Sequence, residues 1–286
     1  MPLQWRARSK SPYDGCMISR RNALSGLAAS ALTGCGAGQP SPSSYQYPKA
    51  PPPPDRASQG LDAVIDISRS VSVSDFRRVR QSNILGVIHK ATEGSDYVDT
   101  ACAARRPQAE AAGLLWGAYH FGTRQTPGAR QAAFFLSVAR PGPRTLLALD
   151  LEANENNPSN SMTVDQAEAF VQAVAEATGR LPVVYVHPTW ANGDPLPVSG
   201  LSLGARITPQ SILARCGLWV ADYHDSPEIP LAWEATGWRL WQYAGDETAN
   251  RPAYGQTSIV QGVSHCDRNL FNGDATALQK FWTATS

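Results

Sequence analysis

Short apolar runs alternate with amphipathic stretches along residues 60–286 of this 286-residue chain. A buried parallel strand is typically a near-continuous apolar run of about four to eight residues, and an amphipathic stretch between two runs predicts the helix of a βα unit. The clearest predicted helix covers residues 163–178, where apolar residues recur at helical spacing ahead of a possible C-cap, Gly179. The predicted strands are 64–67, 84–89, 113–121, 145–152, 181–186, 218–221, 239–243 and a segment around 266–267.

Helical periodicity is weak between the last three predicted strands. Eight strands with helices only between the earlier ones predict an α/β fold, an irregular TIM-like barrel whose final part lacks its outer helices. Active sites of such barrels lie at the C-terminal strand ends. Most of the residues at the predicted strand ends are acids or aromatics, a composition that favours a carbohydrate site. The residues at these ends are Asp66, Lys90, Glu93, Tyr119, Asp150, Glu152, Tyr185, Tyr223, Gln242 and Asp267.

The apolar run 145–152 ends in two carboxylates, Asp150 and Glu152. Side chains alternate along a strand, so these two acids would share a face, with Cα atoms about 6.5–7 Å apart. Proximity pushes the pKa values of two carboxyls apart, which suits one to donate a proton and the other to stay charged. The structural alternative is a strand that simply runs into a polar loop with solvated acids.

Residues 1–35 are predicted to be a targeting segment. Arg20 and Arg21 resemble a twin-arginine signal, and the apolar stretch 24–32 that follows is too short to span a bilayer. The segment closes with Leu-Thr-Gly-Cys35, which resembles the bacterial lipobox and would make Cys35 an acylated N-terminus. A plain cleaved signal with an incidental cysteine is the alternative. Residues 1–16 fit no signal, so Met17 is the more natural first residue.

Residues 36–59 are predicted to be a linker, because they are rich in proline and contain Pro51–Pro54 in succession. Such a segment favours extended polyproline conformations and would tether a domain, residues 60–286, to a membrane. The net charge of +1 argues against nucleic acid as a partner. Of the five cysteines, Cys16 would be removed with the signal and Cys35 would be acylated. The other three show no zinc-ligand spacing, so at most one disulfide can form.

The order of short motifs across residues 60–286 resembles the family 25 glycoside hydrolases, a family of lysozymes. The resemblance covers nearly the whole predicted domain. It rests on Asp66-Ile-Ser68, Lys90-Ala-Thr-Glu-Gly94, Gly117-Ala-Tyr-His-Phe121, Gln131-Ala132, Leu149-Asp-Leu-Glu152, Leu218-Trp-Val-Ala-Asp-Tyr223, Trp241-Gln-Tyr243 and Asp267-Arg-Asn-Leu-Phe271.

The resemblance implies a barrel of five βα units and three further strands. It also implies N-acetylmuramidase activity, cleavage of the β-1,4 bond after N-acetylmuramic acid in peptidoglycan, with no cofactor and no metal. Glu152 matches the general acid/base, Asp150 its partner carboxylate, and Asp66 and Asp267 the other acids of the ring. The positions expected to contact substrate are Tyr119, Tyr185, Tyr223, Trp241 and Gln242. The expected protein is an exported monomer, anchored through Cys35 and facing the periplasm or the cell exterior.

Two segments depart from the family pattern. Arg69-Ser70-Val71 follows the first-strand motif where relatives usually carry aromatic, His or Gln residues, which puts some sugar subsites in doubt. Residues 191–216 match no family motif and are predicted to form a distinct loop over the groove.

Two other functions fit parts of the sequence. One is a non-catalytic, lipid-anchored wall-binding protein, since fold alone does not establish function, although presence of all four acids favours an enzyme. The other is a metal-dependent polysaccharide deacetylase, because five histidines fall near predicted strand ends and could join Asp267 in a metal site. Strand parity argues against it, since adjacent residues cannot both face the interior. The histidines are His89, His120, His187, His224 and His265.

Overall fold

The computed structural model describes residues 59–245 and 259–283. The predicted signal segment with Cys35, and all of the predicted linker except Gln59, lie outside the described residues. Within the described ranges, no helix combines the length and the hydropathy that crossing a bilayer requires.

Eight strands close into a barrel, and a short ninth strand pairs with one of them. The barrel follows the order β1-β2-β4-β5-β6-β7-β8-β9 and closes between β9 and β1, while β3 pairs only with β2. This confirms the predicted irregular barrel. The strands are β1 (Leu61–Ile67), β2 (Gly86–Glu93), β3 (Tyr97–Val98), β4 (Leu115–Phe121), β5 (Thr145–Asp150), β6 (Val183–Val186), β7 (Leu218–Ala221), β8 (Trp238–Ala244) and β9 (Asp267–Phe271).

Five α-helices follow the first five barrel strands, as the resemblance implied. Among the described residues between β7 and β9, the only helical element is a 3-10 turn, Leu231–Trp233, in keeping with the weak periodicity there. A sixth helix follows β9. The helices are α1 (Phe76–Gln81), α2 (Thr100–Ala111), α3 (Gly128–Ala139), α4 (Val164–Thr178), α5 (Pro188–Ala191) and α6 (Ala275–Thr283).

Both ends of helix α4 are determined by capping residues adjacent to it in the sequence. Thr163 accepts from the backbone of Gln166, and the Gln166 side chain bonds back to Thr163, which forms a capping box. Gly179 ends the helix in the left-handed conformation, at φ 70°. Both ends agree with the predicted boundaries.

Strand β9 runs antiparallel to both of its neighbours, β1 and β8, whereas the other barrel pairs are parallel. Asp267 is therefore the first residue of β9, not a residue at a C-terminal strand end as the sequence suggested. The reversal still brings it to the same barrel end as the acids, because Asp267 pairs in register with Asp66.

Two apolar layers fill the molecule. The outer layer lies between the strands and the surrounding helices, and a smaller cluster fills the barrel interior. Trp282 of α6 belongs to the interior cluster, and its indole nitrogen donates to the Trp116 carbonyl at 2.8 Å. A Cβ on Gly86 would lie 2.7 Å from the Trp282 ring, so this glycine provides the room for α6 to close the barrel at the N-terminal ends of the strands.

The three cysteines of the barrel are buried: Cys102, Cys216 and Cys266. Burial raises the pKa of Cys102 and of Cys216 to about 12, so both thiols are protonated and unreactive at neutral pH.

Candidate active site

Two of the predicted acids, Asp66 and Asp267, face each other across the β1–β9 pair. They are register partners and both are buried. The side-chain nitrogen of Gln242 donates to Asp66 Oδ2 and Oδ1 at 3.0 and 3.2 Å, and to Asp267 Oδ2 at 3.4 Å. Asn269 Nδ2 also donates to Asp66 Oδ2, at 2.9 Å. Neutral amides thus separate the two carboxylates.

The oxygen of the Gln242 amide is equally engaged. Tyr185 and Tyr223 donate their hydroxyl protons to Gln242 Oε1, at 2.9 and 2.8 Å. This assignment places the amide nitrogen against the carboxylates and the oxygen against the phenols, which satisfies every group in the network. The structure therefore brings Asp66, Asp267, Gln242 and two predicted tyrosines together.

Asp150 ends β5, and its backbone is fixed on both sides. Gly122 N donates to the Asp150 carbonyl at 3.0 Å, and Leu151 N donates to the Tyr185 carbonyl at 2.9 Å. The buried Leu151 side chain belongs to the outer apolar layer. Glu152 lies two residues beyond Asp150, the last residue of β5, and is half-buried, whereas the sequence placed it within the strand. The strand ends earlier because β6 pairs only as far as Asp150 and Leu151.

Register links Asp150 to the acid pair. Asp150 is the partner of Tyr185 on β6, and the Tyr185 hydroxyl reaches Gln242, which contacts Asp66 and Asp267. The side-chain network thus joins Asp66 and Asp267, and strand register brings Asp150 to the same end of the barrel.

A further carboxylate lies beside Glu152. Burial, and then electrostatic repulsion from Glu152, raises the pKa of Glu155. The loop that carries it is pinned by Asn154, whose backbone nitrogen donates to Ser161 Oγ at 2.9 Å. Glu152 therefore lies in a partly desolvated, negatively charged environment.

Tyr119 and Lys90 lie on neighbouring strands in register. Tyr119 is buried in the interior cluster. Lys90 Nζ contacts Glu93 Oε2 at 2.7 Å, so these two residues pair with each other.

Trp241 corrects an expectation. The sequence placed this residue among the sugar contacts, but its side chain is fully buried in the outer layer and its indole nitrogen donates to the Asp222 carbonyl at 2.6 Å. The physical reason is strand parity: Leu240 lies in the interior cluster and Gln242 contacts the acids, so Trp241 between them points outward.

The five histidines do not come together in one cluster that could form the metal site considered from the sequence. His89 stacks on Trp116 and His120 stacks on Phe170, both fully buried outside the barrel interior, and burial lowers each pKa to about 4. In the described part of the chain, no group of three or more His, Cys, Asp or Glu side chains is arranged to hold a metal ion. The remaining histidines lie elsewhere, His187 at the start of α5, His224 against Asp222 and His265 against Ser264.

Sequence reasoning missed Asn269 and Trp219. Trp219 Nε1 donates to Asn269 Oδ1 at 2.6 Å, which orients the Asn269 amide toward Asp66. A signal was available, since Asn269 lies two residues after Asp267 and alternation puts both on one face of β9.

Comparison with known proteins identifies the family. The model of Glycosyl hydrolases family 25 matches residues 65–251, a range that contains Asp66, Asp150 and Glu152 but ends before Asp267. Lysozyme M1 of Streptomyces globisporus is 29% identical over 229 residues, covering 75% of this chain and 69% of the relative.

Two solved structures have the same fold. The bacterial lysozyme of Streptomyces coelicolor superposes with a TM-score of 0.64 at 28% identity, covering 79% of this chain and 99% of that one. The family GH25 lysozyme of Aspergillus fumigatus gives a TM-score of 0.60 at 29% identity, covering 78% and 99%. The family match over most of the barrel, with the acids at its mouth, shows that this chain belongs to the family 25 glycosyl hydrolases.

Proposed function

We propose that the chain is an N-acetylmuramidase, which hydrolyses the β-1,4 bond between N-acetylmuramic acid and N-acetylglucosamine in peptidoglycan. Membership of family 25 supports a glycosidase, and the relatives described as lysozymes support this substrate. The observation that carries the proposal is the set of carboxylates around one barrel mouth, linked by Gln242 and Tyr185.

Glu152 is the proposed general acid/base. It lies half-buried next to Glu155, whose pKa is raised by burial and by the charge of Glu152, so the two carboxyls interact electrostatically. Such an acid can protonate the leaving oxygen of a glycosidic bond at the pH where a neighbouring carboxylate stays ionised. Asp150, whose backbone is fixed on both sides, is the proposed assisting carboxylate.

Asp66 and Asp267 are the proposed orienting acids. Gln242 and Asn269 hold Asp66 in place, and the negative charge of the pair favours a positively charged transition state. Tyr223 is half-buried and offers ring surface to a sugar, whereas Tyr119 and Tyr185 are buried and would form the floor of the cleft.

The test measures new reducing ends released from purified peptidoglycan by wild type, Glu152→Gln and Glu234→Gln. Glu234 is an exposed glutamate just before β8, at the opposite end of that strand from Gln242, and serves as the matched control. We expect Glu152→Gln to lose about 10²–10⁴-fold in kcat and Glu234→Gln to lose nothing. Wild type that sediments with peptidoglycan but releases no reducing ends would favour the non-catalytic alternative.

We also propose that the protein is exported as a monomer and anchored through an acylated Cys35. The sequence Leu-Thr-Gly-Cys35 after a short apolar stretch supports acylation. Several acyl chains hold a protein firmly on a membrane where one would not. Wild type should therefore partition into detergent and Cys35→Ser should be released; a wholly soluble wild type whose N-terminus is not residue 35 would contradict the anchor.

A further inference from the structure

A group of charged and aromatic side chains lies beside the acids and has no part in the proposed chemistry. We call it the rim cluster: Arg69, Lys90, Glu93 and Tyr97. Arg69 Cζ lies 5.3 Å from the centroid of the Tyr97 ring, and Lys90 Nζ lies 5.1 Å from the same centroid. Two cations thus contact one aromatic ring at the C-terminal ends of β1 and β2.

The rim cluster borders the candidate active site. Arg69 follows Asp66 by three residues, just beyond the end of β1. On the other side, Glu93 pairs in register with Phe121 of β4, and Phe121 pairs with Asp150 of β5. The cluster therefore lies between the Asp66 side and the Asp150 side of the barrel mouth, where a bound glycan strand would pass.

The backbone that carries Arg69 is held rigidly. Arg69 N donates to Asp99 Oδ2 at 2.8 Å, and Asp99 is buried at the start of α2. Arg105 donates to the carbonyls of Ser68 and Val71, at 2.9 and 2.6 Å. The turn is thus clamped on both sides of Arg69, while the Arg69 side chain itself is exposed. The backbone of Arg69 is therefore fixed, while its guanidinium remains accessible to solvent.

Arg69 is the cation of the rim cluster that forms no ion pair with a residue of the described ranges. Glu93 neutralises Lys90 at 2.7 Å, and Asp99 is occupied by the backbone nitrogens of Arg69 and Ala101, at 2.8 and 3.0 Å. Over residues 59–245 and 259–283, no group accepts a hydrogen bond from the Arg69 guanidinium. A planar guanidinium, ordered on a ring and open to solvent, matches the two oxygens of a carboxylate.

We propose that Arg69 binds a carboxylate of peptidoglycan beside the scissile bond and thereby determines which glycan strands the enzyme prefers. This inference rests on the proposed function and deepens it. Peptidoglycan offers such a carboxylate from two sources. The lactyl group of muramic acid carries one when no peptide is attached, and the stem peptide supplies others when the lactyl carboxyl is consumed in an amide.

The test compares three substrates: peptide-free glycan strands, peptide-bearing strands, and peptide-free strands whose carboxylates have been converted to methylamides. Wild type, Arg69→Gln, Arg69→Lys and Arg144→Gln are assayed on each for kcat and KM. Arg144 is exposed and directly precedes β5, at the end of the barrel opposite the acids, so its variant removes the same charge from a remote position.

We expect Arg69→Gln to raise KM about tenfold with little change in kcat, on the substrate whose carboxylate Arg69 binds. A higher KM of Arg69→Gln on peptide-free strands would identify the lactyl carboxylate as the group that Arg69 binds. A higher KM on peptide-bearing strands alone would identify a carboxylate of the stem peptide. On the methylamide strands, wild type and Arg69→Gln should show the same KM. Arg69→Lys should keep part of the affinity, and added salt should reduce the difference between wild type and Arg69→Gln.

The inference is overturned if Arg69→Gln has the same KM as wild type on all three substrates. It is also overturned if the KM of Arg69→Gln is raised by the same factor on the methylamide strands. It is also overturned if Arg144→Gln reproduces the loss, because the effect would then be one of overall charge. Wild type that cleaves none of the substrates would refute the proposed function itself, a failure distinct from an active enzyme that is indifferent to Arg69.

Discussion

The side-chain nitrogen of Gln242 donates to both carboxylate oxygens of Asp66, at 3.0 and 3.2 Å, in the interior of the barrel. The same nitrogen lies 3.4 Å from Asp267 Oδ2. Asp66 and Asp267 are direct partners across two strands, so their like charges repel. A shared neutral donor offsets this repulsion and fixes both carboxylates at the mouth of the barrel.

Gln242→Met tests this arrangement, because methionine has a similar size but neither donates as an amide nor accepts two hydroxyl protons. We expect kcat/KM to fall about 10–10²-fold, since Asp66, Asp267, Tyr185 and Tyr223 each lose a hydrogen bond. Unpaired buried groups cost about 1–3 kcal/mol each, so the melting temperature should also fall. The control is Gln172→Met on the exposed face of α4. Unchanged kinetics in Gln242→Met would show that the bridge is irrelevant to activity.

The fold was largely predictable because buried strands and amphipathic helices leave different periods in a sequence. The direction of β9 was not predictable, because side chains alternate in the same way whether a strand runs parallel or antiparallel to its neighbours. Asp267 was therefore identified from its motif but assigned to the wrong end of its strand. The structure also added β3, a two-residue strand too short to leave any pattern.

The positions of Asp66 and Asp150 on their strands were predictable, because each acid lies within or at the end of an apolar run. Trp241 was wrongly predicted to contact sugar because aromatic composition was given more weight than the alternation of side chains along a strand. That alternation already places Trp241 on the face opposite to Gln242. The contact of Arg69 with Tyr97 could not be predicted, because it depends on how the β2–β3 hairpin folds over the end of β1. Such a contact is tertiary and has no local sequence signal.

The buried histidines predict loss of stability in acid. Burial lowers the pKa of His120 from 6.5 to about 4, so between these values the unfolded chain binds a proton that the folded chain does not. The stability from the neutral ring is complete above pH 6.5 and is lost as the pH falls toward 4. One such histidine adds about 1.4 kcal/mol per pH unit to the slope of the unfolding free energy.

His120→Gln should flatten that slope by about this amount when urea unfolding is measured at pH 7, 6 and 5. His89 and His187, whose pKa values burial also lowers to about 4, should leave part of the slope in place. Between pH 7 and 8 the curves of the two proteins should run parallel, which provides an internal control. An equally steep acid slope in His120→Gln would contradict the assignment.

Activity should survive chelators. The proposed chemistry requires a proton donor, Glu152, and a carboxylate, Asp150, with no Lewis acid. Release of reducing ends from peptidoglycan is measured before and after treatment with EDTA, and a zinc-dependent hydrolase treated in parallel verifies that the chelator is effective. Loss of activity with rescue by zinc would instead support the metal-dependent alternative.

The assistance that we propose Asp150 gives to Glu152 can take three forms. As a nucleophile, Asp150 would lie with its carboxyl about 5–5.5 Å from that of Glu152 and the product would retain configuration; as a base activating water, it would lie about 6.5–9.5 Å away and the product would be inverted. In a third mechanism the substrate's own 2-acetamido oxygen attacks the anomeric carbon, and Asp150 orients and stabilises the amide as it becomes positive. Muramic acid carries the required acetamide, so we favour this mechanism.

Substrate assistance predicts retention of configuration without a glycosyl-enzyme ester. Asp150→Asn should lose about 10²–10⁴-fold in kcat, because the charge that stabilises the developing cation is gone while the acid Glu152 remains. The anomer first released is identified by proton NMR on a soluble glycan fragment, and the enzyme is examined by mass spectrometry after rapid quenching. Glu155→Gln, on the neighbouring loop, is the comparison for a change of charge near Glu152. A sugar trapped covalently on Asp150 would establish the nucleophile instead, and an inverted product would establish the activated water.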